Sequence, residues 1–442
     1  MLKEILQYKL KIVSKAILWR YKPEIIGVAG SIGKTSTKEA IYLVLQDRFK
    51  VYRSQKSFNN EIGLPLTILQ AEAQNRNYLG WVRVILRGWW RVIKKDKNYP
   101  QILLLEMGVD KVGDMKYLTK IAKPWIGVIS AIGPEHLENL HDVETVADEN
   151  LDIVRNLSGR HGFAVLNVDE LLLQRDVECV GTKISFGLSE HADVRAHSTE
   201  EVSEFIGCKM KLGVKAKITY LDQEIEAFFP NLVAKHQVYS MLAGMAVGVI
   251  YGMRLVDSLA LLQAYVAPAG RMRAIEGMKQ TLILDDSYNC SPVAARAALD
   301  TLSRFKLDKG ARKIAVFGDM AEMGETSEQL HRELGEYIAK SGVDLLYVLG
   351  PWSKITASST EENGLDPKSI MWFDNPVSVG QALRDILRPG DLILVKGSQN
   401  SSRLEICVKE IMAEPKQAKD LLCRQGPEWL AKEFKASSSS PV

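Results

Sequence analysis

The chain has 442 residues, 46% hydrophobic and 25% charged, with a formal net charge of only +3. Such proportions describe a folded protein of two or three domains, and the near balance of charge excludes a global field for nucleic acid or acidic polymers. Five dispersed cysteines without a CxxC pair exclude a disulfide framework or zinc site. Neither a signal peptide nor an uncharged membrane-spanning run is legible, so the expected location is the cytoplasm.

Residues Leu2–Trp19 place apolar and basic side chains at helical spacing, which predicts an amphipathic helix within an N-terminal segment 1–22. A short apolar strand follows at Ile25–Ala29, then a glycine-rich turn, then a helix over about Lys34–Leu45. Strands of the buried type are predicted at Gln101–Glu106, Trp125–Ser130 and Gly162–Leu166. Asp193–Phe229 alternates in the manner of a small antiparallel elaboration, and Gln237–Tyr251 is a helix rich in small residues. After Pro268-Ala269-Gly270 the rhythm restarts. Strands at Thr281–Leu284, Lys313–Phe317, Leu345–Leu349 and Leu392–Val395 alternate with helices at Val293–Arg304, Glu328–Ser341 and Val377–Leu387. The expected architecture is α/β throughout. A phosphate-loop central domain with a mostly parallel sheet (23–268) precedes a C-terminal Rossmann-like α/β domain (269–430), and 431–442 is a disordered Ser-rich tail.

The chemistry is carried by Gly30-Ser31-Ile32-Gly33-Lys34-Thr35-Ser36, placed between a strand and a helix. Two glycines let the backbone close around an anion, and the helix N-terminus attracts it. Lys34 is positioned to neutralise β- and γ-phosphates, and the Thr35 hydroxyl to meet Mg²⁺. Val28 stands where the longer form of this loop has glycine, so the pattern is the short G-x-x-G-K-T form. ATP and Mg²⁺ are therefore the expected cofactors.

Further blocks run through the chain in a fixed order. They are Ser57-Phe58-Asn59-Asn60-Glu61-Ile62-Gly63-Leu64-Pro65-Leu66-Thr67, Leu105-Glu106-Met107-Gly108, His136-Leu137-Glu138 and Asp285-Asp286-Ser287-Tyr288-Asn289. Gly318-Asp319-Met320-Ala321-Glu322-Met323-Gly324-Glu325 with His331, and Lys396-Gly397-Ser398, complete the set. Together with the loop they resemble the Mur ligase family, and within it the branch that adds D-alanyl-D-alanine to a muramoyl peptide. The resemblance implies that ATP converts a carboxylate to an acyl phosphate, which an amine then attacks. It implies that Lys34 and His136 are catalytic and that Thr35, Glu106 and His136 meet metal. It gives the ATP nucleoside and phosphates Arg271, Asp286 and Asn289, and the substrates Asn59, Asn60, Asp319, His331 and Lys396. Taken as residues alone, Glu106 ends an apolar strand, where an acid needs a cation or a metal. Asn59 and Asn60 also fit a turn or cap, and Asp319 and His331 also fit helix-cap and helix-surface positions.

The pattern also departs from the family. Only one helix precedes the loop, where the family has a separate UDP-sugar domain. Asn150 stands where the family has a modified lysine that binds metal, Gln237 and Ser240 where it has asparagines, and Gln399 where it has arginine. A ligase for another polymer, such as a poly-amino acid or folate-type substrate, and a catalytically weak ATP-binding regulator are the alternatives. Finally, residues 75–99 form an apparent insertion in which Arg83, Arg87, Arg91 and Lys94 or Lys95 share a helical stripe, with Trp81, Ile85, Trp89 and Val92 away from it. That predicts either packing on the core or peripheral contact with an anionic membrane, which would make a lipid-linked precursor a candidate substrate alongside a small-molecule one.

Overall fold

The computed structural model describes residues 2–54, 58–74, 77–159, 161–174, 181–206, 209–398 and 401–430. Ser57, Gln399 and the tail 431–442 lie outside them, as do Cys179 and Cys208. The chain divides into two compact units. The first comprises Met1–Thr199, Ala216–Ala227 and Val238–Tyr265, and the second Glu200–Lys215, Phe228–Gln237 and Val266–Val442.

The first unit is opened by helix α1 (Leu2–Tyr21), followed by strand β1 (Glu24–Ala29), helix α2 (Lys34–Leu45) and the short strand β2 (Val51–Arg53). Helices α3 (Gly63–Leu69) and α4 (Tyr78–Ile93) precede β3 (Ile102–Glu106). Then come α5 (Asp114–Ile121), β4 (Ile126–Ile129), α6 (Leu137–Leu140), α7 (Val143–Arg155), β5 (Phe163–Asn167) and β6 (Thr182–Gly187). Strands β7 (Val194–Ile206), β8 (Lys209–Tyr220) and β9 (Gln223–Pro230), each of which is divided between the two units, follow in the chain, then α8 (Val238–Ile250) and α9 (Leu255–Leu262) of the first unit. The sheet runs β2-β3-β1-β4-β5-β6-β7-β8-β9, and its first five strands are parallel neighbours. The reason is in the sequence: β3 reads Ile-Leu-Leu-Leu-Glu with every residue buried, as a strand covered on both faces must be. Helix α8 lies close against α2, and Gly244 stands where a Cβ would come within 3.3 Å of Ala40, in keeping with the tight packing that its small residues predict.

In the second unit, β10 (Arg273–Gly277), β11 (Thr281–Asp286), α10 (Pro292–Arg304), β12 (Lys313–Gly318), α11 (Ser327–Lys340) and β13 (Leu345–Leu349) are followed by α12 (Ser353–Glu362), β14 (Ile370–Phe373), α13 (Pro376–Ile386), β15 (Leu392–Lys396) and α14 (Glu405–Ile411). The sheet order is β10-β11-β15-β12-β13-β14, parallel except for β10. Two apolar cores cover its faces, one centred on Leu299, Phe317 and Leu346, the other on Ile283, Tyr347 and Ile393. The fold is thus α/β with a large, mostly parallel sheet and a second sheet domain, as the sequence indicates. Strands β2, β6, β10 and β14 and helices α3, α5, α6, α9, α12 and α14 escape that reading.

Candidate functional site

The loop between β1 and α2 closes at two glycines with positive φ, 123° at Gly30 and 86° at Gly33. Gly30 is irreplaceable on space as well, because a Cβ there would stand 2.4 Å from Ser130 Oγ. The residues leaving β4 grip the loop from below. Ser31 and Ile32 donate their N–H groups to the Ala131 carbonyl (2.7 and 3.3 Å), and the Ser130 hydroxyl donates to the Ile32 carbonyl (2.7 Å). From the side, Asn150 Oδ1 accepts the Gly30 N–H at 2.7 Å, while its own amide donates to the Val146 carbonyl one turn back on α7. Asn150 therefore holds the phosphate loop. The first amides of α2 have no intrahelical acceptor, as at any helix N-terminus, where an anion is favoured.

The charged groups around the loop form a connected set. Lys34 Nζ folds back over the carbonyls of Gly30 and Ser31 and reaches Glu135 Oε2 at 3.3 Å. Thr35 Oγ1 lies 3.1 and 3.3 Å from the two carboxylate oxygens of Glu106, which is buried at the end of β3. Glu106 is not isolated in its apolar strand: Lys38 Nζ stands 3.4 Å from Oε2 and also donates to the Ser54 carbonyl. His136, at the N-cap of α6 with φ 54°, places Nε2 3.1 Å from Asp110 Oδ1 and 3.6 Å from Glu135 Oε1. Of these, Lys34, Asp110, Glu135 and His136 line one cleft of about 460 Å³ together with Asn59, Asn60, Glu61 and Asp114. Asn59 and Asn60 thus reach the cleft, and Asn60 Oδ1 also accepts the N–H of Gly63 at the start of α3. Sequence reasoning singled out Lys34, Asn59, Asn60 and His136 but missed Glu135, Asp110 and Ser130. For Glu135 the signal was its position beside His136.

The acids near Asn150 that could have offered a substitute carboxylate are engaged elsewhere. Glu149 accepts the Gly113 N–H at 2.8 Å, Asp152 pairs with Arg155 and Lys116, and Asp148 pairs with Arg155.

In the second unit the predicted residues fall into two groups. The Arg271 guanidinium stacks 4.0 Å over the Tyr288 ring. Asp286 ends β11 opposite Lys396 of β15, and the two side chains meet at 2.5 Å. Lys396 also donates to the Asn289 carbonyl, so Arg271, Asp286, Asn289 and Lys396 gather at the carboxyl ends of two neighbouring strands. Beside them Asp285 is fully buried, accepting the Gly270 and Ser287 N–H groups, and burial pushes its carboxyl up to about 6.

Asp319 and His331 form the other group, and both are turned inward. His331 is fully buried, its Nε2 accepting the Met320 N–H (3.0 Å) and its Nδ1 donating to the Ser327 carbonyl (2.7 Å). Burial pulls its pKa down to about 4, so the ring is neutral. Asp319 Oδ1 accepts from the N–H and hydroxyl of Ser353, and burial raises its carboxyl above the usual range. With both ring nitrogens spent inside the unit, His331 fixes the turn after β12 rather than offering a nitrogen to a ligand.

Comparison with known proteins agrees with this arrangement. Residues 28–79 and 91–248 match the Mur ligase middle domain, and 270–399 match the Mur ligase, glutamate ligase domain. The UDP-N-acetylmuramoyl-tripeptide–D-alanyl-D-alanine ligase of Bacillus subtilis is 29% identical over 403 residues, covering 91% of this chain and 79% of the relative. That of Synechocystis is 28% identical over 89% of the chain and 76% of the relative. Among solved structures, MurF ligase from Thermotoga maritima in complex with ADP superposes with a TM-score of 0.73 at 25% identity, over 94% of this chain and 84% of that one. MurF from Acinetobacter baumannii, at 20% identity, shares the fold with a TM-score of 0.74 over 92% and 81% of the two chains. The chain belongs to the Mur ligase family, ATP-dependent enzymes that close a peptide bond.

Proposed function

We propose that this chain adds D-alanyl-D-alanine to the peptide of a muramoyl cell-wall precursor. The observation that carries the reading is that Lys34 of the phosphate loop, the Glu135–His136 pair and Asn59-Asn60 line a single cleft. A phosphate donor and a carboxylate substrate would meet there. The γ-phosphoryl group passes to a carboxylate oxygen as ADP leaves. The amine nitrogen then attacks the acyl carbon, phosphate departs, and the amine gives up a proton. Such transfer asks for positioning and charge neutralisation rather than covalent help.

In this reading Lys34 leaves the loop carbonyls and Glu135 to meet the phosphates. The Gly30–Ser36 backbone cradles them, and Asn59 and Asn60 orient the peptide substrate. Arg271, Asp286 and Asn289 serve the nucleotide, with Lys396 fixed between Asp286 and Asn289. Asp319 and His331 support the amino-substrate side from within, by shaping the turn after β12. The Thr35 hydroxyl and Glu106 carboxylate are hard oxygen donors side by side, a set that fits Mg²⁺. Among the described residues no three His, Cys, Asp or Glu side chains gather to hold a metal unaided. Mg²⁺ would therefore be held by Thr35 and Glu106 together with phosphate oxygens and water, its ordinary habit, and would supply neutralisation of phosphate charge. His136 would hold a second ion, exchanging Asp110 for it.

The enzyme would meet its precursor, small or lipid-linked, in the cytoplasm. The test is phosphate release with a UDP-linked muramoyl tripeptide and D-alanyl-D-alanine. Wild type should turn over, and Lys34→Ala should lose about 10³-fold or more. ATP binding without turnover on any carboxylate–amine pair would instead identify a nucleotide-binding regulator.

A further inference from the structure

Two helices that fall outside the family frame leave apolar faces uncovered. The match to the Mur ligase middle domain begins at residue 28 and is interrupted between 79 and 91, so α1 and the middle of α4 are additions to the frame. They pack on each other: Arg20 Nε donates to the Val92 carbonyl and the Tyr21 hydroxyl to that of Arg91. One side of α4 is its seat. Gly80, Val84 and Gly88 are buried, Trp81, Ile85 and Val92 lie against the core, and Arg91 turns inward to donate to the Leu69 carbonyl.

The opposite side is the unexpected one. Leu79, Val82, Leu86, Trp90 and Ile93 recur at helical spacing and are exposed by 83, 52, 62, 62 and 75%. On a helical projection Arg83 and Arg87 border this stripe along one edge, exposed Lys94 follows at the helix end, and α4 contains no acidic residue. Helix α1 repeats the device: Ile5, Tyr8, Ile12 and Trp19 form an exposed stripe, with Lys9 and Lys15 exposed beside it.

We propose that α1 and α4 dock this protein on an anionic lipid bilayer. Charge complementarity selects the occupant. The cationic border of α4, which carries no acid, favours a surface bearing many negative charges, with Glu4 the single acid on α1, and exposed tryptophans are suited to the headgroup boundary. The stripe of α4 runs along the outer side of a single helix, with its apolar side chains projecting, as a helix lying in an interface presents them. Neither helix is long and apolar enough to cross a membrane, so the contact is peripheral. The inference stands on α1 and α4 and is independent of the ligase reading.

The experiment is cosedimentation of the full chain with vesicles of mixed phosphatidylglycerol and phosphatidylcholine, against vesicles of phosphatidylcholine alone. Binding is expected on the anionic vesicles and should fall as salt rises. Arg83→Gln and Arg87→Gln should each weaken it about fivefold, and Leu86→Asp with Trp90→Asp should abolish it, with phosphate release in solution unchanged. No sedimentation, equal sedimentation on both vesicles, or wild-type binding by the arginine variants overturns the proposal. So does self-association without lipid that Leu86→Asp with Trp90→Asp removes, which would give the face to a second copy. If that double variant does not fold, the arginine variants decide alone.

Discussion

A histidine sits in each unit within a block that also carries acidic residues, yet the two are wired in opposite ways. His136 borders an open cleft and pairs with Asp110, whose side chain is 69% exposed. His331 is sealed, both nitrogens bonded to backbone groups of its own unit. The same contrast extends to their neighbours. Lys34 rests on loop carbonyls and a partly exposed Glu135, which an incoming phosphate can replace. Asp319 Oδ1 is held by Ser353, and both residues are buried. Replaceable partners mark groups free to act, and irreplaceable ones mark groups that hold the fold. The first region should therefore register substitutions in turnover, and the second in stability.

The largest stability effect is expected at His331. Removing its side chain in His331→Ala strands the buried Met320 N–H, which alone costs about 1–3 kcal/mol, and leaves a cavity as well. Urea unfolding at neutral pH should show a loss of about 3 kcal/mol. The loss is also pH-dependent in a defined direction. Because the folded pKa of about 4 lies below the unfolded value near 6.5, the unfolded state binds the proton more readily between them. The stability from neutral His331 is thus complete above pH 6.5 and declines by about 3 kcal/mol as pH falls through 4. Asp285 works against it. Its folded pKa of about 6 exceeds the unfolded value near 3.8, so its contribution is complete below 3.8 and disappears as pH rises through 6. The wild-type curve therefore changes less than either group alone would dictate. The decisive quantity is the difference between wild type and His331→Ala, which should shrink steadily from pH 6.5 to 4. A difference independent of pH would mean that the ring is not held neutral.

Asn150→Ala comes next. It leaves the Gly30 N–H without its acceptor and frees one side of the phosphate loop, for a loss of about 1–2 kcal/mol. Because that bond positions the cradle, kcat/KM for ATP should fall about tenfold, an effect of about 1.4 kcal/mol on the transition state. Asn150→Asp restores an acceptor and should recover most of the stability. If Asn150→Ala altered neither quantity, the loop would be fixed by Ser130 and Ala131 alone.

What the sequence reveals follows from range. The phosphate loop is legible because strand, glycines and helix are contiguous, and Asp286 and Asn289 because the first ends a strand of recognisable type and the second follows it closely. The Asn150–Gly30 bond spans 120 positions, so composition and spacing carry no sign of it. Nor do they reveal that Arg91 leaves the stripe of Arg83 and Arg87: only the seat of α4 on Leu69 turns it inward. Helix α12 was invisible for a different reason. Its sequence, Ser-Lys-Ile-Thr-Ala-Ser-Ser-Thr-Glu-Glu, lacks an apolar stripe. It is buried through hydroxyls instead: Thr356, Ser359 and Thr360 donate to the carbonyls of His331, Arg332 and Gly335 on α11. A hydropathy pattern cannot register burial satisfied by hydrogen bonds.

The smallest stability effect is expected at His136, and it tests the contrast most directly. His136 adopts φ 54°, a left-handed conformation that asparagine tolerates well, so His136→Asn alters the ring without straining the backbone. Its bond to the exposed Asp110 is screened by water and worth little. Stability should therefore stay within about 0.5 kcal/mol of wild type in urea unfolding. Turnover should fall with no change in ATP affinity, because the ring would act on the acyl-phosphate side of the cleft rather than on the nucleotide. A loss of stability comparable to that of His331→Ala would make His136 a structural histidine, and would move the catalytic contribution of this cleft to Lys34 and Glu135.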